Sequence, residues 1–250
     1  MHTITFFANK GGSGRTIATM ALASGFLAQG KRVAVMDCSD LAGYASSPLH
    51  QWVTQMAACK FRAPQLELIE CQTREGVEDN AAAVNASGVD VLLIDTSARI
   101  CEPQLVALGL ADLIIAPATG PFEAKCIVEG ISEYLCTPDH LLGLICGCRN
   151  GASEAAETRA AFGYQCVFQS ELPWAEALSD QILHGDIAHF VSSLTCKPGK
   201  PGFARFREAQ AARTAVQRLS FEVDWALNGQ RLEPFENDHS PYAYLRESVA

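Results

Sequence analysis

Short apolar runs alternate along this chain with longer stretches of helical period. Residues 4–8, Ile-Thr-Phe-Phe-Ala, make the first run and lead into a glycine-rich loop. A helix over 16–29 follows, with Gly30 standing where the residue just past a helix C-terminus belongs. Further strands are expected at 32–37, 65–70, 91–95, 113–116 and 141–148, with a short piece around 166–168. Unbroken Val, Ile and Leu runs are what strands covered on both faces display. Strands alternating with helical segments predict βαβ units and a parallel sheet. The expected class is therefore α/β, a mostly parallel twisted sheet with helices on both faces. The rhythm stops at Cys196-Lys-Pro-Gly-Lys-Pro-Gly202, a Pro/Gly hinge. Beyond it, 203–219 regains helical period, and 220–250 is acidic and broken by proline. The organisation expected is one domain over 1–195, with a C-terminal helix and acidic extension, 196–250, packed on it.

Composition changes this picture little. The 250 residues are 48% apolar and 19% charged, enough for a sizeable core without staples. The net charge of −9 argues against wholesale nucleic-acid binding but leaves room for a local basic patch. Ten cysteines need a reading. Only Cys146 and Cys148 lie close together, and C-x-C inside an apolar run is not a zinc-site spacing. Buried, reduced thiols are expected. No apolar run approaches the ~20 residues that span a bilayer, and the N-terminal segment lacks signal-peptide features. A cytoplasmic protein without stable membrane insertion is expected.

The chemistry concentrates in Asn9-Lys-Gly-Gly-Ser-Gly-Arg-Thr16, between a strand and a helix. Such a loop turns several backbone N–H groups toward one point, and the helix N-terminus behind it favours phosphate there. An ordinary phosphate-loop motif, G-x-x-x-x-G-K-[ST], would have glycine where Asn9 stands. Ile17 replaces the third glycine of a dinucleotide fingerprint. The loop instead resembles the deviant Walker A motif, K-G-G-x-G-K-[ST], of the ParA/MinD family of ATPases. The resemblance extends over about 1–195 and implies a Rossmann-like P-loop NTPase fold that binds ATP and Mg²⁺. It implies that Lys10 reaches across a homodimer to the partner's nucleotide and acts in catalysis. It further implies that Gly11, Gly12, Ser13, Gly14, Arg15, Thr16 and Ile17 hold nucleotide, with the Thr16 hydroxyl on Mg²⁺. Arg15 departs from the family, which has lysine there. A forked, planar guanidinium is not a conservative replacement at a tight phosphate site.

Other segments extend the likeness. Residues 33–37 look like the family's second strand, with Asp37 at the first acid of its D-x-D ending. Ser39 stands where the second acid belongs, and Asp40 comes one residue later, as a substitute or as a solvated loop carboxylate. Asp37 and Asp40 are the candidate catalytic acids. Residues 89–96 look like the Walker B strand, whose Asp95 would hold Mg²⁺ through water. Pro173 would fall near the adenine, or be an ordinary loop proline, with Gly185 closing the next helix. Arg149 and Asn150 lie in the region that approaches the base.

Several functions compete. A ParA-type partition or cargo-positioning switch would dimerise on ATP, answer to a ParB-like or other adaptor, and hold DNA nonspecifically by its phosphates. The basic residues for that task are Lys197, Lys200, Arg205, Arg207, Arg213 and Arg218, which also suit a solvated helix face. Such a protein would sit in the cytoplasm, on the nucleoid if it binds DNA. A second reading, from Arg15 and the displaced acid, is an ATP-binding scaffold that does not hydrolyse. A MinD-like membrane role would need a basic amphipathic terminus, whereas the last eleven residues hold one base and one acid. An iron–sulfur relative would use Cys101, six residues past Asp95.

Overall fold

A computed structural model describes residues 1–39, 46–59, 65–97, 99, 101–134, 140–149, 151–163, 166–194 and 197–232. Six strands form one parallel sheet: β1 (His2–Phe6), β2 (Val33–Cys38), β3 (Leu66–Glu70), β4 (Val91–Thr96), β5 (Leu113–Ala118) and β6 (Leu141–Ile145). Their order is β3-β2-β4-β1-β5-β6. The first strand thus lies between β4 and β5. The C-terminal ends of β1, β2, β4 and β5 therefore meet at one crevice on the sheet's edge, where such folds bind ligands. Strands β2, β4 and β5 are buried at every position, which is why their sequences run apolar without alternation. The edge strand β3, Leu-Glu-Leu-Ile-Glu, is partly open and correspondingly mixed.

On one face lies α1 (Arg15–Ala28), covered in turn by α10 (Phe203–Leu227). Between sheet and outer helix, α1 is buried at every position from Ala18 to Leu27, which explains its small-residue sequence Met-Ala-Leu-Ala-Ser-Gly-Phe-Leu-Ala. It packs tightly against α10 at Gly25. A Cβ there would come within 2.7 Å of the Ser220 Cβ and 3.1 Å of the Val216 carbonyl oxygen. Gln29 donates to the Ser220 hydroxyl at 3.0 Å, and Lys31 pairs with Asp224, so the two helices are also tied at this end. The same face carries α2 (Pro48–Ala58) and the short helices α7 (Glu176–Ser179), α8 (Gln181–His184) and α9 (Ile187–Ser193). The opposite face is covered by α3 (Arg74–Ala86) and α4 (Glu102–Gly109) beside β2 and β4. There α5 (Pro121–Tyr134) and α6 (Ala152–Ala161) cover β5 and β6.

The α/β class, the parallel sheet and the helices on both faces match the expectation. Gly30 does close α1, at φ 85°, with Lys31 N–H bonded back to the Phe26 carbonyl. Several ends differ. β1 stops at Phe6, two residues before the expected end, and β6 stops at Ile145. Residues 166–168 form no strand; Val167 makes one isolated parallel bridge to Gly143. The terminal helix runs on to Leu227, because Ser220 and Val223 continue its buried stripe past the expected end at 219. Of the eight described cysteines all are free, but only Cys38, Cys71, Cys146 and Cys148 are fully buried, fewer than expected. No described helix is long and apolar enough to cross a membrane.

Candidate functional site

The glycine loop leaves β1 and enters α1 without a side-chain cap. Gly12 and Gly14 sit at φ 83° and 87°, left-handed values that side chains disfavour, so the sequence meets a backbone demand here. A Cβ at Gly14 would press on the Cys146 Cβ at 3.3 Å, while Gly11 and Gly12 face open space. Asn9, in place of the usual glycine, donates to the Cys126 carbonyl of α5 at 2.7 Å. Its amide occupies the space a side chain at Gly130 would fill. The loop is thus tethered to α5 at its start.

Two strand ends, of β2 and β4, bring acids to this crevice. Asp37 and Asp95 are direct neighbours in the β2–β4 register, and both are buried. The Thr16 hydroxyl donates to Asp95 Oδ2 at 2.7 Å. Ser39 closes on Asp37 Oδ1, its N–H at 2.9 Å and its hydroxyl at 2.5 Å. One oxygen of each acid, Asp37 Oδ2 and Asp95 Oδ1, is buried without a hydrogen-bond partner, as is the Ser13 hydroxyl. Burial drives the Asp95 carboxyl up to about 6, and nearby Asp37 adds to the rise. The Thr16 hydrogen bond and the Arg15 charge pull the other way. Unpartnered carboxylate oxygens beside a threonine hydroxyl and open loop N–H groups form a donor set that fits Mg²⁺ held with phosphate and water.

The Arg15 side chain is held at the end of β4. Its Nη1 donates to the Thr96 carbonyl at 2.7 Å, to the Ser97 carbonyl, and more weakly to the Thr96 hydroxyl at 3.4 Å. Burial lowers its guanidinium from the ordinary value, with Asp95 opposing. Lys10 is 58% exposed, 3.5 Å from Glu123 Oε1 and 5.7 Å from the Phe122 ring centroid. Glu123 is itself fixed, accepting Thr119 N–H at 2.8 Å and the Thr119 hydroxyl.

Beside Gly12, Gly14 and Ile17 opens a pocket of about 210 Å³, walled by Cys146, Leu172, Pro173 and Trp174. Pro173 thus lies against the loop that precedes it by more than 150 residues. Trp174 was not singled out in the sequence, yet it is 51% exposed at the pocket, with the Arg149 guanidinium 4.3 Å over its ring. Gly185 ends α8 at φ 80°. Asp40 and Asn150 lie outside the described residues.

The six basic candidates do not share one surface. Arg205 and Arg207, two residues apart on a helix, face different ways. Arg205 pairs with Asp180 at 2.7 Å and lies over Phe190 at 5.2 Å. Arg213 has a buried Nε without a hydrogen-bond partner. Lys197, Lys200 and Arg207 are exposed, and Arg218 is half-buried. Cys101 precedes α4 with its thiol 3.6 Å from the Ser97 hydroxyl. Among the described residues no three His, Cys, Asp or Glu side chains are grouped to hold a metal.

A family model described as VirC1 protein matches residues 1–126. VirC1 of Rhizobium radiobacter is 27% identical over 135 residues, covering 54% of this chain and 55% of that protein. IncC of Escherichia coli is 30% identical over 169 residues, covering 55% of this chain and 45% of its own length. The chain therefore spans about half the length of the curated relatives it matches. The MinC:MinD cell division protein complex of Aquifex aeolicus superposes with a TM-score of 0.61 at 14% identity, over 96% of this chain and 100% of that one. A ParA family ATPase from Chlorobium tepidum TLS gives 0.55 at 16%, over 90% and 98%. These likenesses carry the fold. With its phosphate loop, Asp37 and Asp95 all inside the matched half, the chain belongs to the VirC1 protein family and to the ParA/MinD family of P-loop proteins.

Proposed function

We propose that this chain is a ParA-like ATPase that dimerises on Mg²⁺–ATP and positions DNA or another cargo in partition. The observation that carries the reading is one crevice holding a left-handed glycine loop, a Thr16–Asp95 contact and two acids with unpartnered buried oxygens. In this reading the N–H groups of 11–16 cradle the phosphates, and the pocket beside Pro173 takes the base. Thr16 and Asp95, the latter through water, hold Mg²⁺, which when bound neutralises charge developing on the phosphates. Asp37 and Asp40 are the proposed catalytic acids, Asp40 standing in for the displaced second acid that would orient the attacking water. Lys10, exposed and only loosely paired, is free to reach a partner copy's nucleotide, and Lys10→Ala should weaken ATP-linked dimerisation while sparing binding. The relatives' names include IncC and a ParA family ATPase, which supports the partition class. A ParB-like adaptor is the proposed partner. Lys197, Lys200 and Arg207 are the proposed contacts to nonspecific DNA, with Arg205, Arg213 and Arg218 as weaker candidates, and the cytoplasm or nucleoid is the proposed place.

A second reading has its own observation. Arg15 has its guanidinium engaged by the Thr96 and Ser97 carbonyls at the end of β4. Phosphoryl transfer rests on positioning and charge stabilisation, so a cation engaged there favours an ATP-held scaffold with little turnover. ATP turnover by wild type and Arg15→Lys, with binding measured in parallel and DNA added or withheld, separates the two. Wild-type turnover stimulated by DNA supports the switch. Tight binding with turnover only in Arg15→Lys supports the scaffold, and no binding by either protein sinks both.

A further inference from the structure

We infer that α10 positions the base-facing wall of the pocket through two carboxylates, Glu222 and Glu208, so that recognition of the nucleotide's base, but not of its phosphates, depends on them. The inference rests on the nucleotide-binding reading above. Glu222 is completely buried, yet it belongs to no motif and lies far from the phosphate loop in sequence. A buried carboxylate is costly unless its oxygens are satisfied. Here each oxygen accepts a different backbone N–H, Gln169 at 2.8 Å and Ser170 at 2.6 Å.

The reason lies in how this segment meets the sheet. Val167 bridges to Gly143 and Leu172 bridges to Cys146. Six residues of one segment, 167–172, therefore run beside four of the other, 143–146, and 169–171 must bulge away from the edge. Their N–H groups lose sheet partners, and Glu222 collects two of them. Arg159 of α6 clasps the bulge as well, donating to the Phe168 carbonyl at 2.8 Å and to Glu171 at 2.9 Å. The chain then returns to the edge at Leu172, whose N–H reaches the Ile145 carbonyl at 2.9 Å, and Pro173 and Trp174 follow as pocket wall.

At the far side of the wall Glu208 accepts the Glu176 N–H at 2.6 Å, where α7 begins. The two carboxylates are about 21 Å apart along one helix at 1.5 Å per residue. The wall from 169 to 176 thus hangs between two points on α10. Charge-assisted bonds of this kind are roughly twice as strong as neutral ones. Glu222→Gln removes the arrangement without changing shape, because an amide can accept only one of the two N–H groups and turns its own N–H toward the other.

The test is calorimetric titration of Mg²⁺–ATP and of Mg²⁺–tripolyphosphate, which has no base, into wild type, Glu222→Gln and Val223→Ala. Val223 is a fully buried neighbour on α10, so its truncation loosens helix packing without touching the clamp. The expected result for Glu222→Gln is roughly tenfold weaker ATP with tripolyphosphate within about twofold, and neither change in Val223→Ala. Any long-range effect of the lost charge acts on both ligands and cancels between them. The inference is overturned if both ligands weaken together, if neither weakens, if Val223→Ala reproduces the ATP-specific loss, or if wild type binds ATP no better than tripolyphosphate. Wild type that binds neither ligand overturns the nucleotide reading as well. Should Glu222→Gln fail to fold, Glu208→Gln at the half-buried end is judged by the same pattern at about threefold.

Discussion

The two ends of the crevice are built on different plans. The end proposed for phosphate comes from one continuous stretch, Asn9 to Thr16, with Asp37 and Asp95 arriving on adjacent strands. Its geometry is a property of backbone, of two left-handed glycines and a helix start. The end proposed for the base is assembled from the ends of β5 and β6, the segment 172–179, and clamps from α6 and α10. Backbone-made sites leave a compact trace in sequence, because particular residues must stand in register. Sites held by distant side chains on backbone N–H groups leave almost none.

The strongest challenge to this division is Gly12→Val. At φ 83° with open space around it, Gly12 should fail through backbone strain and a side chain standing where phosphate belongs. Calorimetry should detect neither ATP nor tripolyphosphate binding, whereas Gly11→Ala, which carries no left-handed angle, should retain both. Loss of ATP alone from Gly12→Val would erase the distinction between the ends.

Next in size is a pH effect at the phosphate end. The folded Asp95 carboxyl titrates near 6, above its ordinary 3.8, so the folded chain keeps a proton that the unfolded chain releases between those values. The stability this group lends below the unfolded value is lost as pH rises through the folded one, on the order of 3 kcal/mol. Urea midpoints without nucleotide or metal should be lower at pH 7 than at pH 5, and Asp95→Asn should flatten that difference. An unchanged slope in the variant would assign the pH effect elsewhere.

Trp174→Ala probes the other end. Losing one stacking surface should weaken ATP by about 1 kcal/mol, roughly fivefold, and leave tripolyphosphate alone. Equal losses would mean that Trp174 shapes the phosphate loop instead. The smallest effect is expected from Arg205→Ala, whose pair with Asp180 is exposed. It should cost less than about 1 kcal/mol in thermal stability and should not move nucleotide affinity.

The sheet and the phosphate loop were legible because apolar runs ending in Asp, and glycines at fixed spacing, are direct demands of a buried parallel strand and a phosphate cradle. Pro173 was legible only through family likeness. Trp174, Thr119 and Cys146 had no signal of their own, since each meets the pocket through chain folding and not through local pattern. Residues 166–168 read as a strand because Val-Phe is apolar, but the bulge beyond them and the claim of Arg159 on the Phe168 carbonyl leave a single bridge. Glu222 sits just past 219, in the stretch 220–250 that the sequence reads as an acidic, proline-broken extension beyond the helix. Arg15 was visible as a departure, but its direction was not, because the Thr96 and Ser97 carbonyls that hold it come from another strand's end.

The contact between Gly25 and Ser220 makes bulk a shared quantity of two helices. Any methyl added at 25 must be taken from 220, so Gly25→Ala should be eased by Ser220→Gly, and only in part, since the Val216 carbonyl also stands 3.1 Å away. Two positions nearly 200 residues apart are therefore one locus for substitution, with permitted residues that can be written only as pairs. The helix that leaves the phosphate loop and the helix that carries Glu222 cannot drift apart in sequence without both changing.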